Sequence, residues 1–296
     1  MASTGTICAA LALLPPPVNN KPILLSYKTR FLHCSFSSKP NYSTGSIRCQ
    51  AFGQSSNPLD PNSTVYKGVY GPWSVESSDV REVILYRAGL VTAATSLVIA
   101  ASTAFLPGNF FLSTLIQQNL DLFYALGAAG LGISLFLIHI YVTEIKRTLQ
   151  ALWALGVLGS FAVYICLALP ADQTLVQYVI DNPTTVWFVG PLFASLTGLV
   201  FKEGLCYGKL EAGLLTFIIP TLLLGHLTNL MDDGVKLPLL ATWMALFSVF
   251  AGRKFTQPIK DDIGDKSVFI FQALPDNEKK ALIEKLKLQN DTQDFD

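Results

Sequence analysis

Six stretches of this chain are too long and too apolar to fold as anything but membrane-crossing helices. Residues 88–106, 122–142, 149–169, 184–201, 210–230 and 235–252 reach or approach the roughly 20 apolar residues that cross a bilayer core. Within that core a backbone N–H or C=O finds no water, so each segment must satisfy its own polar groups in a helix. Turn formers and charges bound the stretches, among them Pro107-Gly108-Asn109, Asp181-Asn182-Pro183 and Asp232-Asp233-Gly234. Pro238 falls in the first turn of the last stretch, where its missing N–H would be unpaired anyway. The expected fold is therefore all-α: a polytopic membrane helix bundle of six transmembrane spans with short tails. The composition fits, with 14% charged residues against about 25% in soluble domains.

The first 59 residues are a different polymer. They hold no Asp or Glu, five basic residues, nine serines and four threonines. An acid-free, Ser-rich, mildly basic leader with no Lys or Arg ahead of its apolar run at residues 7–14 has the character of an organelle transit peptide rather than a secretory signal. Its low Arg content favours a plastid, and Ser46-Ile47-Arg48-Cys49-Gln50-Ala51 resembles a stromal processing site. The expected organisation is a transit peptide over residues 1–49, an N-tail over 50–87, the membrane domain over 88–252 and a C-tail over 253–296.

Basic residues stay on the side from which a chain inserts. Beyond residue 49, fifteen of them fall in the two tails and the loops around 143–148 and 202–209, while the opposite loops hold only Lys236 and five aspartates. Both termini are thus expected on the stromal side of a chloroplast membrane, the thylakoid in the first place and the inner envelope second. The formal net charge is zero, which excludes nucleic acid as a partner, because that binding needs a basic excess.

No charged residue lies in the middle third of any expected span, which argues against a proton path or a charged substrate at midplane. Charges collect at the stromal ends: Arg87, Glu144, Lys146, Arg147, Lys202, Glu203, Lys209 and Glu211. Such residues generally anchor helices by snorkelling; the competing reading is a polar cluster in which Arg87 pairs with Glu203 or Glu144. His226, Asn229 and Asp233, spaced i, i+3 and i+7, are expected on one helix face. There they could serve a proton, a metal or the magnesium of a chlorophyll or other tetrapyrrole, or His226 could be an interhelical hydrogen-bond donor. Pro191 and Pro220 lie mid-span and are candidate helix breaks, the feature on which a carrier would be built, although proline also simply kinks membrane helices. Ala128 and Gly132, and Gly156 and Ser160, are small pairs four apart that suit close helix–helix seams, with a cofactor slot as the rival use.

Residues 57–79 are expected to be loop at the interface. Asp261, Asp262 and Asp265 lack the twelve-residue calcium-loop pattern and read as a solvated turn. Residues 267–271 have strand character, and Asp276 is expected to cap a charged helix to about Leu288, with Leu282 and Leu286 on one face.

The runs Val65-Tyr66-Lys67-Gly68-Val69-Tyr70-Gly71-Pro72 and Arg81-Glu82-Val83-Ile84-Leu85-Tyr86-Arg87 resemble an uncharacterised integral membrane protein family of cyanobacteria and plastids. Phe201-Lys202-Glu203-Gly204-Leu205-Cys206, Leu223-Leu224-Gly225-His226-Leu227 and Ile263-Gly264-Asp265-Lys266-Ser267-Val268-Phe269 resemble the same family. The resemblance implies an integral membrane location and architecture, transfers no catalytic residues, and directs attention to Arg87, Lys202, Glu203 and His226. Nucleotide loops, nucleophile elbows and metal-protease helices are missing from the sequence. The expectation is a non-catalytic protein in contact with membrane lipid and with a membrane-protein partner or further copies of itself. It would bind or help assemble a thylakoid complex or its pigment; the alternative is a carrier or channel for a small, weakly charged solute or ion.

Overall fold

Glu76 and Asp79 form a capping box that starts the first long helix: Asp79 Oδ2 accepts the Glu76 N–H at 2.8 Å, and the Glu76 carboxylate caps the first turn in return. The computed structural model describes residues 64–108 and 111–293; the transit peptide expected over residues 1–49 lies outside these residues. Ahead of that cap, β1 (Val65–Lys67) and β2 (Pro72–Ser74) pair antiparallel, with Tyr66 opposite Trp73. Within residues 64–79 this small hairpin and the start of the first long helix stand where loop was expected; residues 57–63 of the stretch lie outside the described residues.

The helices follow in order: α1 (Ser77–Ser102), α2 (Phe111–Gln118), α3 (Leu120–Leu137), α4 (Thr143–Val163), α5 (Leu175–Asp181), α6 (Val186–Tyr207), α7 (Leu210–Leu227) and α8 (Asp233–Gly252). A π-helical turn at Tyr164–Ala168 and a 3-10 turn at Leu169–Ala171 prolong α4, and a 3-10 turn at Arg253–Phe255 prolongs α8. The C-tail holds α9 (Ile259–Ile263), α10 (Lys266–Ala273) and α11 (Asp276–Gln293). Among the described residues six helices are long and apolar enough to cross a membrane, and the chain is an all-α polytopic membrane bundle.

Those six close into a ring: α1 packs on α3, α3 on α4, α4 on α6, α6 on α7, α7 on α8, and α8 back on α1. Lipid is as apolar as leucine, so such helices are held by close packing rather than by expulsion from water. One such close seam joins α1 to α3. A Cβ on Gly89 would meet Gly130 O at 2.6 Å, and one on Gly130 would meet Gly89 O at 2.6 Å. Ser134 Oγ locks the crossing by donating to Tyr86 O at 3.0 Å. On α4, Gly156 lets Leu192 of α6 approach and Gly132 of α3 receives Trp153, so two of the four small residues singled out above serve seams. The core of the ring is filled by Leu90, Leu131, Leu192, Leu196, Leu215 and Phe247, all fully buried.

Several boundaries differ from the sequence expectation. The first span begins at Ser77 rather than residue 88, because the capping box carries the helix three turns beyond its apolar stretch. The second ends at Leu137; Ile138 is extended, and the strand-like run to Val142 passes beneath α10, where Phe269 lies against His139 and Tyr141. Residues 267–271 are helical, not strand: Asp265 Oδ1 accepts the Ser267 N–H at 2.9 Å and caps α10. Neither Pro191 nor Pro220 breaks its helix. Each lies within a continuous α6 or α7, since a proline forfeits only one backbone bond while its neighbours keep theirs.

Candidate functional site

The polar residues of the tail end converge on two buried carboxylates. Glu203 stands in the last turns of α6, one residue from Lys202, and is wholly buried. Its Oε1 accepts Tyr86 OH at 3.1 Å and Lys202 Nζ at 3.3 Å; its Oε2 accepts Lys209 Nζ and Lys254 Nζ, each at 2.8 Å. Asp262, on α9, is equally buried. Its Oδ1 accepts Lys254 Nζ at 2.5 Å and Gln257 Nε2 at 3.2 Å, and its Oδ2 receives the Arg87 guanidinium, with Nε at 2.6 Å. Arg87 Nη2 also donates to Pro258 O at 3.1 Å.

A carboxylate offers about four acceptor sites; Glu203 uses all four, and Asp262 accepts three hydrogen bonds with Arg87 Nη2 in ion-pair contact besides. Taking such charges out of water costs several kcal/mol per ion and is tolerated only where every lone pair and proton finds a partner. Lys254 joins the two centres from a position with no solvent exposure, 5.1 Å from the Tyr86 ring centroid. The flanking Lys202 and Lys209 each sit 5.1 Å from the ring of Tyr207. Lys209 is held below the usual lysine range by burial, with the Glu203 charge pulling the other way. Glu203 is thereby fully hydrogen-bonded, and Asp262 nearly so. The arrangement ties α1, α6, the end of α8 and α9 together.

A second contact layer joins the tails directly. Val69 N donates to Asp265 Oδ2 at 2.7 Å and Tyr70 N to Ser267 Oγ at 3.1 Å. The Tyr70 and Phe271 rings stack at 3.9 Å, and Lys266 Nζ bridges Asp79 Oδ2 at 2.7 Å and Glu76 Oε1 at 3.2 Å. Gly68 has room for no side chain, since a Cβ there would lie 2.7 Å from Ser267 Cβ. Gly264 turns the chain into this contact at φ +77°, a region that favours glycine. The runs 65–72, 81–87, 201–206 and 263–269, singled out above for their resemblance, therefore meet at one end of the bundle.

The sequence-derived candidates divide clearly. Arg87, Lys202 and Glu203 do come together, but Arg87 pairs with Asp262 rather than with Glu203 or Glu144; Glu144 faces Arg147 at 3.4 Å on the exposed side of α4. His226, Asn229 and Asp233 do not share a helix face. Helix α7 ends at Leu227, Asn229 takes a left-handed φ of 52°, and Asp233 opens α8, where it lies 3.9 Å from Lys236. His226 is an interhelical hydrogen-bond donor, one of the two uses expected of it, from α7 to α5. Val179 O in α5 would be bonded by the N–H of residue 183, which is proline and has none. His226 Nε2 lies 3.0 Å from that carbonyl, and because a carbonyl only accepts, Nε2 is the donor.

Two partners were not singled out from sequence. Lys254 abuts the last span and looks like an anchoring charge, and Asp262 is buried and ion-paired rather than part of a solvated turn. His139 lies under α10, 3.5 Å from Glu82; burial pushes its pKa below the usual histidine value, with Glu82 opposing and Lys146 adding to the shift.

At the other end of the bundle, Ala128 and Ser160 line a cavity of about 310 Å³ between α3 and α4, with Tyr124, Trp153, Val157 and Phe161. Tyr124 Oη and Ser160 Oγ lie 2.6 Å apart.

No curated protein and no solved structure matches the chain. Residues 133–271, from the middle of α3 to α10, match the model of a family described as uncharacterized integral membrane protein (DUF2301).

Proposed function

We propose that this is a non-catalytic integral membrane protein of the plastid whose tail end is a rigid platform for a membrane-protein partner, helping to assemble or maintain a thylakoid complex. The observation that carries the reading is the near-saturation of Glu203 and Asp262. Seven hydrogen bonds and the Arg87 Nη2 contact, donated from α1, α6 and the turns that follow α6 and α8, leave these groups little to offer a reaction, while fixing both tails to the bundle. The acid-free leader and the sorting of basic residues to the tail side support a plastid address with stromal tails.

The platform continues into α11, a charged helix with no buried side chain over residues 276–288. Four to five turns of such sequence are marginal as an isolated helix, so a partner surface is its natural support. A carrier built on helix breaks at Pro191 and Pro220 has less to stand on, because both helices run through their prolines and the core between them is packed with leucine. Disrupting the gene and measuring every thylakoid complex tests the proposal. One complex should fall in abundance; normal levels of all of them would overturn it.

A further inference from the structure

We infer that the lateral cavity between α3 and α4 is a binding site for an apolar alcohol: a long-chain, isoprenoid or polycyclic hydrocarbon ending in a hydroxyl. This goes beyond the platform reading and does not rest on it.

The cavity walls show which polar groups remain for a ligand. Ser160 has one hydroxyl proton, and it goes to Gly156 O at 2.7 Å. The 2.6 Å contact with Tyr124 must then be donated by Tyr124. The Trp153 indole N–H is likewise used, on Ala128 O at 2.8 Å. Asp121 at the cavity's end accepts the Leu175 and Val176 N–H groups at 2.9 and 3.1 Å. Of the donors in these walls only the Tyr164 hydroxyl lacks a hydrogen-bond partner among the described residues, and acceptor capacity remains on Asp121 and on a lone pair of Tyr124 Oη, a pairing that a hydroxyl, which both donates and accepts, can meet. A ligand that satisfies it must bring a proton of its own on an otherwise apolar body.

Position and size agree. About 310 Å³ is at the lower end of small-molecule sites. Ala125, Ala129 and Phe161 are exposed at the rim, on helices that cross the membrane, so the mouth opens sideways into hydrocarbon. Tyr124 stands one turn from Asp121 at the start of α3, which places the acceptor near the membrane surface and the remaining space toward its interior. An amphiphile with a hydroxyl head and an apolar body lies in a bilayer in that orientation.

The test uses the full-length protein in nanodiscs with a diazirine-bearing prenol, competed by the unlabelled prenol, its methyl ether and the parent hydrocarbon. The label should fall in α3 and α4 peptides, and the alcohol should compete about fivefold to tenfold better than the ether, the range of one neutral hydrogen bond. Tyr124→Phe should erase that preference, and Ala129→Trp at the mouth should abolish labelling, both with unchanged melting temperature. Absence of label in α3 and α4, equal competition by alcohol and ether, or labelling that survives Ala129→Trp would each overturn the inference.

Discussion

Lys254 Nζ lies 2.8 Å from Glu203 Oε2, with neither side chain exposed to solvent, although 51 positions separate the two residues. One comes from the turn after the last span and the other from the end of the fourth. Their meeting fixes where the C-tail leaves the bundle, and through Asp262 it also fixes where Arg87 and the start of α1 sit.

The charges around this pair are unequal, and the inequality sets an order of mutational cost. Four cations (Arg87, Lys202, Lys209 and Lys254) surround two carboxylates. Glu203→Gln leaves four cations facing one carboxylate, whereas Lys254→Met leaves three facing two. Breaking a buried pair costs about 3–5 kcal/mol. Thermal or denaturant unfolding in detergent should place Glu203→Gln at that level and Lys254→Met clearly below it.

At the α1–α3 seam the obstacle to a larger side chain is backbone, which cannot swing aside. Gly130→Ala puts a methyl group where Gly89 O already is and should cost about 1–3 kcal/mol, the range for overpacking. Gly252→Ala is the control: a Cβ there meets nothing within 4 Å, and the melting temperature should move far less.

His226→Phe should destabilise the protein by about 1 kcal/mol, because it leaves Val179 O without the donor that Pro183 cannot supply. Pro183→Ala in the same background restores a backbone N–H and should recover part of the loss. A double-mutant cycle on melting temperature measures both effects.

The tail contact has a defined pH window. For Asp265, burial works against ionisation, but the hydroxyl of Ser267 and the backbone N–H groups of Val69 and Ser267 outweigh it and hold the carboxyl below its ordinary 3.8. Its contribution is present above about pH 4 and lost as pH falls through the lower folded value. For Lys266, burial lowers the pKa, but hydrogen bonds to Asp79 and Glu76 outweigh it and raise the ammonium above its ordinary 10.5. That contribution is complete below pH 10.5 and lost as pH rises through the folded value. Protease cleavage of the 65–72 hairpin should stay constant from about pH 5 to pH 10 and rise on either side.

The six spans and the grouping of basic residues at one end were legible because both follow from solvation: apolar runs belong in lipid, and most charges belong at its edge. Arg87, Lys202 and Glu203 could be singled out because they stand at span ends. Their partners could not, because Lys254 and Asp262 look like ordinary boundary and loop charges until the fold brings them 2.5 Å apart. The same limit applies to residues 267–271, whose Val, Phe and Ile suggest a strand, while the Asp265 cap and the stacking of Phe271 on Tyr70 make a helix. For His226 the interhelical donor reading was legible, but not its acceptor; Pro183, which leaves the Val179 carbonyl unpaired, was the signal for that.

The partner platform is tested most directly by native electrophoresis of mildly solubilised plastid membranes, followed by detection of this protein. Wild-type protein should run with a larger membrane complex, and the Glu203→Gln variant, its tails no longer fixed, should leave that band. Wild-type protein that runs alone or only with copies of itself would contradict the account.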